Sequence, residues 1–276
     1  MSVITQHHLL LNAAVNSLVG NDPVDRVNFT NFEAYEEQFK LVARKQLKLI
    51  RDEFEELRDR GFRDRSVKEV RDGLGDVIVT MDGLLYRLGV PYTNVFAPAQ
   101  SVLDPETRKA LELSGVMTFR IQDRLRTIDR ALGVLMDRTQ AVFLGNITAF
   151  KARIGETAEI VYLQVYALAY ELGVDLAADQ QAIYKSNMTK FDTDTAVAAQ
   201  GLRKYENMGV AAALFPKEVD GVIYHVIKST EDRVIGDRPF PAGKFLKSVL
   251  FKEPELEPLR DGALLGKLFV TAADID

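Results

Sequence analysis

Apolar residues recur at intervals of three and four through the first two thirds of the chain, the spacing that gathers side chains on one face of an α-helix. A short segment, residues 4–19, has this spacing and stops at the turn-forming run Gly20-Asn21-Asp22-Pro23. A longer pattern runs from Phe32 to about Arg60 without Pro or Gly and is closed by Gly61. We therefore predict a short helix followed by a long amphipathic one.

Three more helices are predicted further along the chain. One begins at the capping-box sequence that starts at Ser66 and ends at Gly89. The next covers residues 104–143, begins at an Asp-Pro pair, and has a weak point at Gly133. The last spans residues 147–172. The helix that ends at Gly61 and the one that begins at Ser66 should form an antiparallel hairpin.

Two of these helices end alike, because YRLGV at residues 86–90 and YELGV at residues 170–174 superimpose at an offset of 84 residues. This predicts a duplicated helical hairpin with copies at 28–90 and 104–174. Under the same offset Glu53, Glu56, Asp72 and Asp76 fall on Asp137, Gln140, Glu156 and Ile160. Part of the acidic set would thus be lost in the second copy. The alternative is a chance match, since helices commonly end in Leu-Gly and an aliphatic residue.

Beyond Asn187 the pattern changes from helical to strand-like. Residues 221–227 form an apolar, β-branched run, and Gly and Pro residues follow at 236–243. We therefore predict an all-α bundle at residues 1–200 and a small β-hairpin or extended appendage at 201–276, packed on the bundle. The Pro- and acid-rich residues after about 253 are expected to be peripheral.

The amino-acid composition excludes several kinds of catalytic and binding site. The chain has 276 residues, 35 of them basic and 40 acidic, and a net charge of -5 argues against a surface for nucleic-acid polymers. It has no cysteine, which excludes thiolate catalysis, thiolate-bound zinc and disulfides, and three histidines leave little room for a His-rich metal site. Neither a membrane span nor a secretory signal is predicted. We expect a cytoplasmic protein whose chemistry depends on carboxylates.

Carboxylates are densest on the second and third predicted helices. Glu53 and Glu56 share one helix face, and Asp72 and Asp76 share another, because residues three or four apart are neighbours on a helix. Both pairs adjoin apolar positions, where an anion is costly to bury unless it is paired or metal-bound. Converging carboxylates would need a divalent cation, and oxygen ligands favour Mg²⁺, or Mn²⁺, over zinc. The alternative is a solvated acidic helix face.

Two glycines beside these acids point to close packing. Gly73 and Gly75 lower helix propensity by up to about 1 kcal/mol each relative to Ala. We expect the close approach of a partner helix, or of a ligand, to compensate for this cost.

The run RxxLxLIxDExxEL at residues 44–57, with Asp72-x-x-x-Asp76 after it, resembles the all-α nucleoside triphosphate pyrophosphohydrolases of the MazG-like superfamily. Residues 185–191, KSNMTKF, resemble the segment that closes the nucleotide site in that family. Residues 243–248, GKFLKS, are similar to a tail element of its phage-type members. The similar stretches are spread over about half the chain.

This resemblance implies a MazG-like bundle and the Mg²⁺-dependent hydrolysis of a ribo- or deoxyribonucleoside triphosphate to the monophosphate and pyrophosphate, in the host cytoplasm if the protein is phage-encoded. The metal ligands that it implies are Glu53, Glu56, Asp72 and Asp76, of which Glu53, Glu56 and Asp76 would be catalytic. The substrate-binding residues that it implies are Asn187 and Lys190. Arg44 and Lys48 precede the acids and are further candidates for phosphate contact, with a plain surface role as the alternative.

The chain also departs from the family pattern. Gly73 stands where the second motif has a glutamate, so Asp72 substitutes for it or one ligand is missing. Family members have one hairpin per chain and oligomerise, whereas the duplication predicts a monomer with an internal pseudo-dimer, or a homodimer. Two other functions stay open: a catalytically inactive helical scaffold or nucleotide sensor, and a phosphohydrolase that removes one phosphate at a time.

Overall fold

The computed structural model describes residues 6–90, 121–141, 146–259, 263 and 265–266, with backbone alone for residues 6–11. These residues are mostly helical, and a small antiparallel β region follows the helices. The helices are α1 (Gln6–Leu18), α2 (Phe32–Glu56), α3 (Val67–Leu88), α4 (Ile121–Gln140), α5 (Ile147–Leu172), α6 (Leu176–Met188) and α7 (Thr195–Asn207). The strands are β1 (Ala212–Val219), β2 (Val222–Ser229), β3 (Arg233–Ile235), β4 (Arg238–Phe240) and β5 (Phe245–Leu246).

Most helix ends lie where the sequence predicts them. Ser66 caps α3 by accepting a hydrogen bond from the backbone N–H of Glu69 (3.2 Å), and Gly89 ends the helix with a φ of 60°. Helix α5 has the predicted bounds. Helix α4 continues through Gly133 without a break, and its predicted start at residue 104 lies outside the described residues.

The end of α2 differs from the prediction. The α-helix stops at Glu56 and continues as a π-helical segment, Leu57–Arg63, that runs past Gly61. A Cβ atom at position 61 would lie 2.9 Å from Cγ2 of Val70. Gly61 is therefore required for close approach to the start of α3, and it does not end the helix as predicted.

Helices α6 and α7 were not predicted. Both are short and rich in alanine, so an apolar stripe is hard to recognise in their sequences. Helix α7 does have a clear start signal, since Asp194 accepts hydrogen bonds from the N–H groups of Ala196 (2.7 Å) and Val197 (3.1 Å).

The chain divides into two compact units. The first unit comprises Met1–His7, Pro23–Gln180 and Leu256–Asp276, and the second comprises His8–Asp22 and Gln181–Glu255. This differs from the predicted boundary at residue 200. The second unit takes in part of α1 because Leu18 packs in one buried cluster with Phe191 and Val226.

In the first unit α2, α3, α4 and α5 surround one apolar core. Helix α2 packs on α3 and α4, and α5 packs on the same two helices. Helices α2 and α4 are antiparallel, since Arg44 Nε donates to Gln140 Oε1 (2.7 Å) and Arg51 Nη1 donates to Asp129 Oδ1 (3.1 Å). The largest fully buried side chains of this core include Tyr35, Phe39, Phe54, Met81 and Tyr162.

The C-terminal segment contributes to this core. Leu265 is fully buried in it, and the carbonyl oxygen of Glu257 accepts a hydrogen bond from Arg71. The expectation of a peripheral tail is therefore wrong for Leu265, whereas the side chain of Glu257 is exposed.

The second unit contains the predicted β-hairpin. Strands β1 and β2 pair antiparallel through a turn at Asp220 and Gly221, whose φ angles are 50° and 77°. Strand β5 pairs with the other edge of β2, and β3 pairs with β4. A second cluster, built around Tyr205, Ile227 and Phe240, covers one side of the sheet.

No single helix in the described part of the chain is long and apolar enough to cross a membrane. Helices α5 and α6 reach the necessary length and composition as a pair, but they are bent by 109° at the break between them.

The two helical hairpins of the first unit match closely. At the ends of α3 and α5 the N–H of Val90 donates to the Leu85 carbonyl and that of Val174 to the Ala169 carbonyl, both at 2.9 Å. Between residues 70–90 and 154–174, paired positions at the offset of 84 are alike in burial except at 72/156, 75/159 and 76/160.

The first helices of the two hairpins match at a different offset. At 85 residues the buried positions Ala43, Gln46, Leu47, Ile50 and Phe54 of α2 fall on Ile128, Ala131, Leu132, Leu135 and Thr139, all buried in α4. An offset of 84 would place Lys48 on the buried Leu132. The equivalents of Glu53 and Glu56 are therefore Arg138 and Ala141, and not Asp137 and Gln140 as predicted.

Helix α3 meets the end of α2 at Gly73. A Cβ atom there would lie 2.9 Å from Cβ of Leu57 and 3.0 Å from its Cα. This confirms the close approach of a partner helix expected at Gly73.

Replacing Gly73 with Ala should therefore destabilise the protein by about 1–3 kcal/mol, because the backbone at Leu57 must shift to admit the methyl group. Gly133 in α4 is the matched control, since a Cβ there meets nothing within 4 Å. Gly133→Ala should stabilise the protein by up to about 1 kcal/mol through helix propensity. Urea unfolding measures both variants, and equal effects in the two would contradict the packing argument.

Candidate functional site

The four predicted metal ligands lie on the last turn of α2 and the first turns of α3. Glu53, Asp72 and Asp76 are half-buried, whereas Glu56 is exposed. Oε2 of Glu56 lies 3.0 Å from Nη1 of Arg60, one turn further along the chain. Glu56 therefore has a basic partner close to it in the sequence.

The contact between Leu57 and Gly73 brings the two acid-bearing turns together. Leu57 directly follows Glu56, and Gly73 directly follows Asp72. Among the residues that the structure describes, however, no group of three or more His, Asp and Glu side chains is close enough to hold a metal ion. Glu53, Asp72 and Asp76 each take part in a polar or electrostatic interaction.

In the second hairpin the equivalent place is occupied by an arginine and a glutamate. Arg138, which corresponds to Glu53, lies with Nη1 3.7 Å from Oε2 of Glu156, which corresponds to Asp72. Both side chains are largely exposed. A guanidinium and a carboxylate thus pair at the position where the first hairpin has two carboxylates.

Gly73, which stands where the family that the sequence resembles has a glutamate, has a packing reason. A side chain longer than hydrogen at position 73 would meet the backbone of Leu57. A glutamate is therefore incompatible with this crossing of α2 and α3, and Asp72 is the half-buried acid that lies next to it.

Arg44 and Lys48 are surface residues on α2. The Arg44 side chain donates to Gln140 of α4, and Nζ of Lys48 lies 3.7 Å from Oδ2 of Asp52 on its own helix. These contacts fit the alternative of a plain surface role, and Arg44 also links the two hairpins.

A buried ion pair that the sequence analysis missed lies beside the acids. Arg71 donates two hydrogen bonds to the Asp179 carboxylate, one of them from Nε to Oδ2 at 2.8 Å. Asp179 is fully buried and Arg71 is 6% exposed. Burial raises the pKa of the Asp179 carboxyl, while the Arg71 hydrogen bonds act in the opposite direction. The signal in the sequence was an arginine directly after the stripe residue Val70.

Asp179→Asn should destabilise the protein by about 3–5 kcal/mol, because it leaves the buried Arg71 charge without its anion. Asp123→Asn is the control, since Asp123 faces Arg126 on the surface at 3.4 Å and such pairs contribute at most about 1 kcal/mol. Chemical denaturation of the two variants measures the difference. A cost below 1 kcal/mol for Asp179→Asn would show that the pair contributes little.

A second buried carboxylate was also missed. Asp82 of α3 is 1% exposed and accepts a hydrogen bond from the hydroxyl of Tyr162 at 2.5 Å. Burial, and after it the Asp82 charge, raise the pKa of the neighbouring Tyr166. The signal was an acid four residues after Ile78 and three before Leu85, within the apolar stripe.

The two other segments that carry the family resemblance lie against each other in the second unit. The N–H of Ser248 donates to the Lys190 carbonyl (3.1 Å), and its hydroxyl donates to Oδ1 of Asp192 (2.5 Å). The N–H of Lys252 donates to Oγ1 of Thr189 (3.0 Å). Two stretches about 55 residues apart in the sequence thus form one local structure.

Lys190 is held at the centre of this structure. Its Nζ lies 2.5 Å from Oδ1 of the buried Asn187, and 6.0 and 5.7 Å from the ring centroids of Phe245 and Phe251. Oδ2 of Asp192 is buried, and none of the described residues forms a hydrogen bond with it. Such a density of buried polar groups is costly and fits a binding segment better than a simple core.

Comparisons with known proteins add no relatives: no family model, curated protein or solved structure matches the chain.

Proposed function

We propose that the protein is a Mg²⁺-dependent nucleoside triphosphate pyrophosphohydrolase, which releases pyrophosphate and a nucleoside monophosphate. The metal would bind at the turns of α2 and α3 that carry Glu53, Glu56, Asp72 and Asp76. Carboxylate oxygens are the donors that this hard cation prefers, so the chemistry of the four residues fits it.

The observation that best supports this proposal is the Arg138–Glu156 pair of the second hairpin. A positive charge from the protein itself lies beside the acid there. The first hairpin has Glu53 in place of the arginine, so a second carboxylate stands at that position. Two neighbouring carboxylates offer oxygen ligands to a divalent cation, whereas the second hairpin has a guanidinium in the place of one of them.

The acids would act by holding the cation. When bound, Mg²⁺ neutralises the phosphate oxygens and lowers the pKa of an attacking water. Glu53, Asp72 and Asp76 are half-buried, which strengthens electrostatic attraction to a cation. Glu56 must leave Arg60 to join them, and an exposed pair of this kind contributes at most about 1 kcal/mol.

For the substrate we propose that Lys190 binds phosphate and Asn187 orients the lysine. The hydrogen bond between the two side chains fixes the ammonium group, which lies 5.7 Å from the ring centroid of Phe251. Arg44 and Lys48 remain candidates for phosphate contact, and each would exchange a partner on the helix surface for the phosphate.

A second candidate function is an inactive nucleotide-binding scaffold. It is favoured by the absence, among the described side chains, of a ready group of three metal-binding residues, and by Gly73 in place of the motif's glutamate. A third, stepwise phosphohydrolase activity differs from the first in its product.

The enzyme proposal predicts that the purified protein releases pyrophosphate from at least one nucleoside triphosphate in the presence of Mg²⁺. Glu53→Gln should lower the rate at least about 100-fold, because a metal ligand is lost. Glu37→Gln, an exposed acid on the same helix, is the matched control and should keep the rate. Orthophosphate as the sole product would favour stepwise hydrolysis, and no release with any nucleotide would favour the scaffold.

Metal binding can be measured separately from hydrolysis, through its effect on the stability of the folded protein. Mg²⁺ at about 100 times its dissociation constant should stabilise the folded protein by about 2.7 kcal/mol and raise its melting temperature. Glu53→Arg, which copies the charge arrangement of the second hairpin, should abolish this shift without a large loss of stability in EDTA. An equal Mg²⁺-induced shift in Glu53→Arg would contradict the proposed site.

Lys190→Ala should raise KM for the nucleoside triphosphate about 10- to 100-fold, the equivalent of losing one charge-assisted hydrogen bond. Lys244→Ala is the control, since its Nζ also lies over a phenylalanine ring, 5.6 Å from the Phe240 centroid, but it is exposed. Steady-state kinetics would separate KM from kcat. Equal KM values in the two variants would remove Lys190 from the substrate site and leave the metal site untouched.

A further inference from the structure

The two hairpins of the first unit are related by an approximate two-fold axis. Helix α2 packs on α4, its own equivalent, and α3 packs on α5, its own equivalent. The cross-hairpin pairs Arg44–Gln140 and Arg51–Asp129 run in opposite directions along α2 and α4, as a two-fold axis requires. Residues on this axis face their own equivalents.

Asp82 and Tyr166 lie close to this axis, on either side of it. They are equivalent at the offset of 84 residues and are 1% and 2% exposed. The Asp82 carboxylate accepts a hydrogen bond from Tyr162, one turn before Tyr166 on α5, so α3 and α5 meet at this level. The carboxylate also acts electrostatically on Tyr166, whose hydroxyl faces Gln180 at 3.5 Å. An acid on one hairpin thus meets a pair of tyrosines on the other.

We propose that Asp82 and its tyrosine partners make the first hairpin select the second hairpin of its own chain, and reject the first hairpin of another copy. The proposal concerns pairing and does not depend on the proposed hydrolysis. A buried polar group is well suited to this purpose, because a wrong partner leaves it unsatisfied.

The wrong pair would be unfavourable for two reasons. If two first hairpins met across the same axis, two Asp82 carboxylates would lie close together on either side of it in an apolar core, where like charges repel strongly. The position that carries Tyr162 in the second hairpin is Ile78 in the first, so the hydroxyl donor would also be missing. The correct pair alone combines one carboxylate with a donor.

A double-mutant cycle tests whether positions 82 and 166 lie close together. Tyr166→Asp places two acids at the axis and should lower the melting temperature by more than Tyr166→Asn, its neutral control. The change in melting temperature caused by Asp82→Asn should be more favourable, by several degrees, in the Tyr166→Asp protein than in the unmodified one. The reason is that it removes one of two neighbouring charges in the Tyr166→Asp protein. If Tyr166→Asp does not fold, recovery of the folded state in the double variant gives the same result. An equal shift from Asp82→Asn in both backgrounds would overturn the proposal.

A second experiment tests selection against another copy of the chain. The unmodified protein, Asp82→Asn and Tyr162→Phe are refolded from urea at high concentration, and their masses are measured by light scattering after gel filtration. Asp82→Asn should give a larger fraction of the doubled mass, because the charge that opposes pairing of like hairpins is gone. Tyr162→Phe keeps that charge but removes the donor of the correct pair, so its increase should be smaller than that of Asp82→Asn. The same mass distribution for all three would show that Asp82 does not control partner choice.

Discussion

The first unit depends on the contact in which Gly73 of α3 lies against the backbone of Leu57. No larger residue fits this crossing, and the crossing determines which residues of α2 and α3 become neighbours. Gly61 against Val70 repeats the arrangement on the other side of the turn, so the hairpin is fixed by two glycines on opposite helices. The acids on either side owe their common location to this packing.

Much of the helical framework could be predicted from the sequence, because the signals are local. The capping residue Ser66, the terminal glycine Gly89 and the apolar stripe of α5 each depend on a few neighbouring residues. The close approach at Gly73 was predictable for a similar reason, since a glycine within an apolar helix needs a packing explanation. The register of the repeat was harder, because one residue of difference between the hairpins changes the partner of Glu53.

The buried polar groups could not be predicted because their partners are distant in sequence. Arg71 pairs with Asp179, and Asp82 with Tyr162, although these partners are 108 and 80 residues apart in the sequence. The spacing of apolar residues within one helix gives no information about such contacts. The burial of Leu265 could not be predicted for the same reason, since the core that it joins is formed by residues far earlier in the sequence. The candidate site was identified in part. Its acids were found, but the partner of Glu56 follows from side-chain geometry and not from helix spacing.

The π-helical segment Leu57–Arg63 has a consequence for how this protein can change during evolution. A π-helix closes its hydrogen bonds over five residues, one more than an α-helix does, and so holds more residues in each turn. Loss of one residue here would rotate everything that follows by about 100° around the helix axis and turn Gly61 away from Val70. The exposed arginines of the segment can vary freely in type, but its length cannot. Homologous chains should therefore differ in sequence between α2 and α3 far more readily than in spacing.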